Sequence, residues 1–128
     1  MASEFIRQTR MEKIIKINGV DVKFRADAST PRMYRVMFSR DAFRDMSDLM
    51  ECYSKSGRLP ENGLETLENI AYCMAKQADP EVPEIMGWLA QFGMMDIYRH
   101  MMEIIELWGF NMKTSSTPKK KRGRRRAR

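Results

Sequence analysis

The stretch Lys13-Ile14-Ile15-Lys16-Ile17-Asn18-Gly19-Val20-Asp21-Val22-Lys23-Phe24 decides how the chain begins to fold. Two β-rich runs flank an Asn-Gly pair. A two-residue hairpin turn needs positive φ at both positions, which Asn and Gly tolerate, so the pair predicts a β-hairpin over about 13–25. The register follows from the turn: Ile17 faces Val20, Ile15 faces Val22 and Lys16 faces Asp21. Ile15, Ile17, Val20, Val22 and Phe24 then share one face, while Lys16, Asp21, Lys23 and Arg25 share the other with Ile14. An isolated hairpin is marginal in water, so the apolar face must pack on other elements or accept a partner.

Those elements come next, and their period is helical. Ser29-Thr30-Pro31 is a start signal, a hydroxyl residue followed by proline at the first helical position. Met33, Tyr34, Met37 and Phe38 form an apolar stripe, interrupted at Ser39-Arg40-Asp41. Asp41 is placed to cap a second segment carrying Phe43, Met46, Leu49, Met50 and Tyr53. Ser54 to Gly63 reads as a loop, with Gly57, Pro60 and Asn62-Gly63. Leu64, Leu67, Ile70, Ala71, Met74, Ala75 and Ala78 then mark a helix that Asp79-Pro80 stops. Pro83 opens a short helix with Ile85, Met86, Trp88 and Leu89, broken at Gly93. Ile97, Met101, Ile104, Ile105 and Trp108 mark the last, with Gly109 as its stop. The expected fold is mainly α: one domain over 13–112 with four or five helices behind the hairpin, a flexible arm over 1–12 and a disordered basic tail over 113–128.

Composition agrees with a chain that folds without staples. Its 128 residues are 43% hydrophobic and 31% charged, enough for one domain with its own core. The formal charge of +6 is unevenly placed. Eight Lys or Arg fall in the last ten residues, leaving 15 basic against 17 acidic groups over residues 1–118. Cys52 and Cys73 are far apart, with no metal or redox spacing, and are expected to be reduced thiols. No apolar run approaches a membrane span, and the first ten residues lack the apolar core of a secretory signal. A cytoplasmic protein is expected.

Little in the sequence points to catalysis or to a cofactor. The only histidine is His100, inside the last helical stretch, and no nucleophile–base–acid constellation, phosphate loop, zinc motif or calcium loop is present. The chain is read as a non-enzyme. Methionine is more telling, at 13 residues, about one in ten. Its side chain is flexible and polarizable, suited to moulding around varied apolar partners or to filling core gaps. The adjacent pairs Met94-Met95 and Met101-Met102 point about 100° apart on a helix, so both members of a pair are buried only on a wide apolar face. The basic end (Lys119, Lys120, Lys121, Arg122, Arg124, Arg125, Arg126 and Arg128) suits a polyanion. It lacks interleaved aromatics for stacking bases, and the rest of the chain offers no basic groove-reading helix. A small nucleic-acid-binding accessory protein is the alternative reading.

Four stretches resemble the tail assembly chaperones of long-tailed (siphovirus-type) phages and prophages. They are Ser29-Thr30-Pro31-Arg32-Met33-Tyr34-Arg35 with Phe38-Ser39-Arg40-Asp41; Asn69-Ile70-Ala71-Tyr72 with Met74-Ala75-Lys76-Gln77-Ala78; Trp88-Leu89 with Phe92; and Glu106-Leu107-Trp108-Gly109-Phe110-Asn111. With the hairpin they span most of residues 13–112, and their order and spacing carry the resemblance. It implies a protein of the host cytoplasm that holds the long helical tape measure protein soluble, helps recruit major tail tube subunits and is absent from the mature virion. Self-association is also possible. The implied client surface is Met94, Met95, Met101 and Met102 with Trp88 and Trp108. Many such genes frameshift near their end to make a longer product, and Lys119-Lys120-Lys121 is compatible with an A-rich slippery run. The Arg-rich end beyond it is more basic than that role calls for.

Overall fold

A computed structural model describes residues 11–109. A two-stranded antiparallel hairpin, β1 (Met11–Ile17) and β2 (Val20–Ala26), leads six helices: α1 (Thr30–Phe38), α2 (Ala42–Ser56), α3 (Gly63–Ala78), α4 (Ile85–Leu89), α5 (Asp96–Arg99) and α6 (Met101–Leu107). The mainly helical class with a leading hairpin is as expected. The basic tail and most of the N-terminal arm lie outside the described residues.

The hairpin has the expected register, with Ile17 opposite Val20, Lys16 opposite Asp21 and Ile15 opposite Val22. Asn18 and Gly19 both take positive φ, 53° and 80°, as the turn requires. The strands run further than expected, pairing Met11 with Ala26. Ala26 extends the apolar face and is buried with Ile15, Ile17, Val22 and Phe24.

That face lies against α3, which also touches all five other helices. α3 is buried at Thr66, Leu67 and every position from Ile70 to Ala75, so its apolar surface is wider than one stripe. Polar tips on the same helix tie its neighbours in. Gln77 Nε2 donates to Asp27 Oδ1 at 3.0 Å and to Ser29 Oγ at 2.8 Å, and its Oε1 accepts from Thr30 Oγ1 at 2.6 Å. This clasp joins the end of the hairpin to the start of α1. Lys76 Nζ donates to the carbonyls of Pro80 and Val82, and the Tyr72 hydroxyl to that of Pro83. Those three bonds fold the following loop back on α3.

Most of the expected helix starts and stops are present, with differences at four places, the first being α4, which ends at Leu89, short of the expected break at Gly93. Asp41 caps α2 through Phe43 N and Arg44 N. Ser29 precedes α1 without a side-chain cap; its hydroxyl donates to Asp27 instead. α2 runs through Ser56, longer than the proline- and glycine-rich loop implies, because Gly57 at φ 75° supplies the left-handed stop. The single last helix is two. The backbone breaks at His100 (φ −105°, ψ 19°), separating α5 from α6 and giving six helices rather than four or five.

A buried polar cluster joins α1 to α2. The Tyr34 hydroxyl donates to Asp45 Oδ2 at 2.9 Å, while Arg40 Nε and Nη2 reach Oδ2 and Oδ1 at 2.7 and 2.9 Å. Burial pushes the Asp45 carboxyl up, but the Arg40 and Tyr34 bonds outweigh it and hold the carboxyl below its ordinary 3.8. Burial and the bonded carboxylate push the Tyr34 phenol up.

Two outcomes follow for urea denaturation. Ile70→Ala, at a fully buried site on α3, costs about 3 kcal/mol, whereas Val36→Ala, at a site 77% exposed, changes stability by less than about 0.5 kcal/mol. Asp45→Asn costs roughly 2 kcal/mol near neutral pH, where the native chain gains from the lowered carboxyl. That contribution is present above 3.8 and disappears as pH falls through the lower folded-state value, so the gap between wild type and variant narrows in acid.

A methionine-rimmed groove as candidate functional site

The six residues of the expected client surface do not share one environment. Trp88, Trp108 and Met101 are buried in the core, while Met94, Met95 and Met102 are exposed. Trp88 supports the groove side from beneath through Phe92, whereas Trp108 packs between α1 and α2. Trp88 stacks edge-on with Tyr72 at 5.5 Å and with Phe92 at 5.1 Å, an aromatic ladder from α3 to the turn after α4. Trp108 meets Tyr34 and Phe43 edge-on at 6.1 Å, and its buried Nε1 has no hydrogen-bond partner among the described residues.

Above the Trp88 ladder lies an open groove of about 370 Å³, lined by Leu64, Glu68, Leu89, Phe92, Gly93, Met94 and Met95. One wall is the outer stripe of α3; the other is α4 and the turn that follows. Asp96 fixes the shape of that turn. Its Oδ2 accepts from Gly93 N at 2.7 Å and its Oδ1 from Arg99 Nη1 at 3.1 Å. With the turn pinned at both ends, Met94 and Met95 are held outward, 89% and 44% exposed. Met102 is on α6 and does not line the groove. Sequence periodicity could not make this selection, because it cannot tell which of two adjacent methionines faces another helix.

Glu68 is the polar group within this apolar lining, and nothing in the sequence pattern singled it out. Burial pushes its carboxyl above the ordinary 4.5, and the neighbouring Glu65 adds to the shift. The only earlier clue was position: Glu68 falls one turn after Leu64, on the same helical face.

A second concavity, about 350 Å³, is bounded by Pro31, Arg32, Arg35, Asp41, Ala42 and Phe43. Three of its six lining residues are charged, against one of seven in the methionine-rimmed groove, so it offers less to an apolar client. The remaining candidates for chemistry sit elsewhere. His100 Nδ1 lies 2.8 Å from Glu103 Oε1 at the α5–α6 joint. Cys73 is buried and its thiol is pushed up to about 12, so it stays protonated at neutral pH. Among the described residues no group of three His, Cys, Asp or Glu side chains is placed to hold a metal, and no helix is long and apolar enough to cross a membrane. The polyanion candidates Lys119 to Arg128 lie outside the described residues.

Comparison with protein-family models, curated proteins and solved structures finds no match to this chain.

The raised Glu68 carboxyl has a measurable consequence. A group that ionises less readily in the folded state favours folding least above its folded-state pKa. Glu68→Gln therefore raises the thermal midpoint at pH 7 and changes it little below pH 4.5. A midpoint lowered at neutral pH would show that the Glu68 charge is instead stabilised where it stands.

Proposed function

We propose that the chain is a non-catalytic tail assembly chaperone of a long-tailed phage or prophage, and that the groove beside Met94 and Met95 holds the tape measure protein. The observation that carries this reading is the exposed methionine pair on the rim of an apolar groove, held there by Asp96. A long helical client presents many apolar stripes of different sequence. Flexible methionines can fit them in turn, and each weak contact can be exchanged when tube subunits arrive.

Glu68 refines the reading. An acid held in apolar surroundings costs folding stability, and a lysine or arginine brought by the client offsets that cost. The favoured segment is an amphipathic helix with a basic residue beside its apolar stripe. In this role the protein acts in the host cytoplasm, helps gather major tail tube subunits around the client and is left out of the mature virion. A longer frameshifted product would share the domain described here and append a second module.

Co-expression with the tape measure protein of the same phage tests this directly. The wild-type chain should keep that client soluble. Met94→Gln with Met95→Gln should cut the soluble fraction several-fold, and Glu68→Gln should reduce it while leaving the chaperone itself more stable. Removal of residues 113–128 should leave solubilisation intact. Loss of solubilisation on tail removal, with the groove variants unaffected, would replace the groove by the basic tail and favour the nucleic-acid-binding alternative.

A further inference from the structure

We propose that β1 pairs with β1 of a second copy of this chain, antiparallel and centred on Ile14, to make a four-stranded sheet across a two-fold axis. Among the described residues the sheet has only two strands, so the outer edge of β1 is unpaired. Seven residues run along it, Met11-Glu12-Lys13-Ile14-Ile15-Lys16-Ile17, without a proline, a glycine or a bulge to blunt the edge.

The backbone geometry selects which residues can pair outward. Ile17 and Val20 flank the two-residue turn as a hydrogen-bonded pair. The alternation then makes Ile15–Val22 and Lys13–Phe24 hydrogen-bonded, and Lys16–Asp21, Ile14–Lys23 and Glu12–Arg25 not. The N–H and C=O groups of Glu12, Ile14 and Lys16 therefore point along the free edge. The side chains of these three residues share the sheet face turned away from the helices, where Ile14 is 60% exposed.

Charge then selects the register. Centring on Ile14 places Ile14 against Ile14 of the second copy and Glu12 against its Lys16, twice by symmetry. All three are outward-bonding pairs. A slip by two residues places Lys13 against Lys13, or Lys16 against Ile14, and loses the complementary pairs. The other edge contrasts. The same operation on β2 sets Lys23 against Lys23 where β1 sets Ile14 against Ile14, with Asp21 against Arg25 on either side, so the two edges differ in their central pair. Within one copy Glu12 is 3.8 Å from Arg25 and Lys16 is 3.4 Å from Asp21, and both lysine and acid remain well exposed.

Sedimentation velocity on the full chain over a concentration series tests the pairing, which is independent of the client reading. A monomer–dimer equilibrium is expected. Glu12→Lys and Lys16→Glu should each raise the dimer Kd by roughly tenfold, since each sets two like-charge pairs across the axis. The double exchange Glu12→Lys with Lys16→Glu should restore the wild-type Kd. Neither single change can be rescued that way through Arg25 or Asp21, whose own pairs stay broken in the double variant. Ile14→Pro removes an outward N–H without touching the β1–β2 ladder, and should give a monomer of unchanged circular dichroism. A wild-type chain that stays monomeric throughout, or a dimer whose Kd ignores the charge changes, overturns the proposal; if the proline variant fails to fold, the charge exchange decides alone.

Discussion

The burial of α3 is the constraint on which the rest of the molecule depends. A helix buried from Ile70 to Ala75 needs cover on nearly every side, and no single neighbour can supply it. The hairpin covers one side with Ile15, Ile17, Val22 and Phe24, and α1, α2 and the three short helices cover the others. Ala71, Cys73 and Ala75 are small enough for this crowding; Cys73 Sγ comes within 3.8 Å of the Thr30 carbonyl. Each partner also needs α3. A two-stranded hairpin does not persist alone in water, and helices of four, five and seven residues are far below the length at which an isolated helix forms. Hairpin and short helices are therefore tertiary structures in the strict sense, stable only as the cover of α3.

This arrangement also explains how an open groove can be firm on one side and adaptable on the other. The firm wall is α3 itself, whose Leu64 and Glu68 emerge where its cover ends. The other wall is short and would be loose without three supports: the Trp88 ladder, the Tyr72 bond to Pro83 and the Asp96 bonds across the turn. These hold the backbone and leave the methionine side chains free to change rotamer. Rigid placement of flexible side chains limits the ordering cost of binding to the side chains alone.

Methionine is thus used in two ways. Met46, Met74 and Met101 fill the irregular gaps between helices of unequal length, where a branched side chain would fit fewer positions. Met94 and Met95 stand at a rim. One chemical property, a long unbranched side chain with a soft sulfur, serves both, which is why composition alone could not separate core from surface.

Local physics made much of this legible in the sequence. The Asn18-Gly19 turn determined the hairpin and, because side chains alternate with period two, its register and its buried face. The Asp41 cap, the Asp79-Pro80 stop and the Gly109 end were likewise local, since caps and breakers act within one helical turn. Tertiary structure decided the rest. The last helix broke at His100, a position that no proline or glycine marks, whereas the end of α2 at Ser56 was set locally by Gly57 in the left-handed region. Trp88, Trp108 and Met101 went to the core while Met94 and Met95 stayed out. Their neighbours in sequence are equally apolar, so only the position of distant elements could choose among them. Glu68 became a groove residue for the same reason: its surroundings come from Leu89, Phe92 and Met94, more than twenty positions along the chain, and no local pattern encodes them.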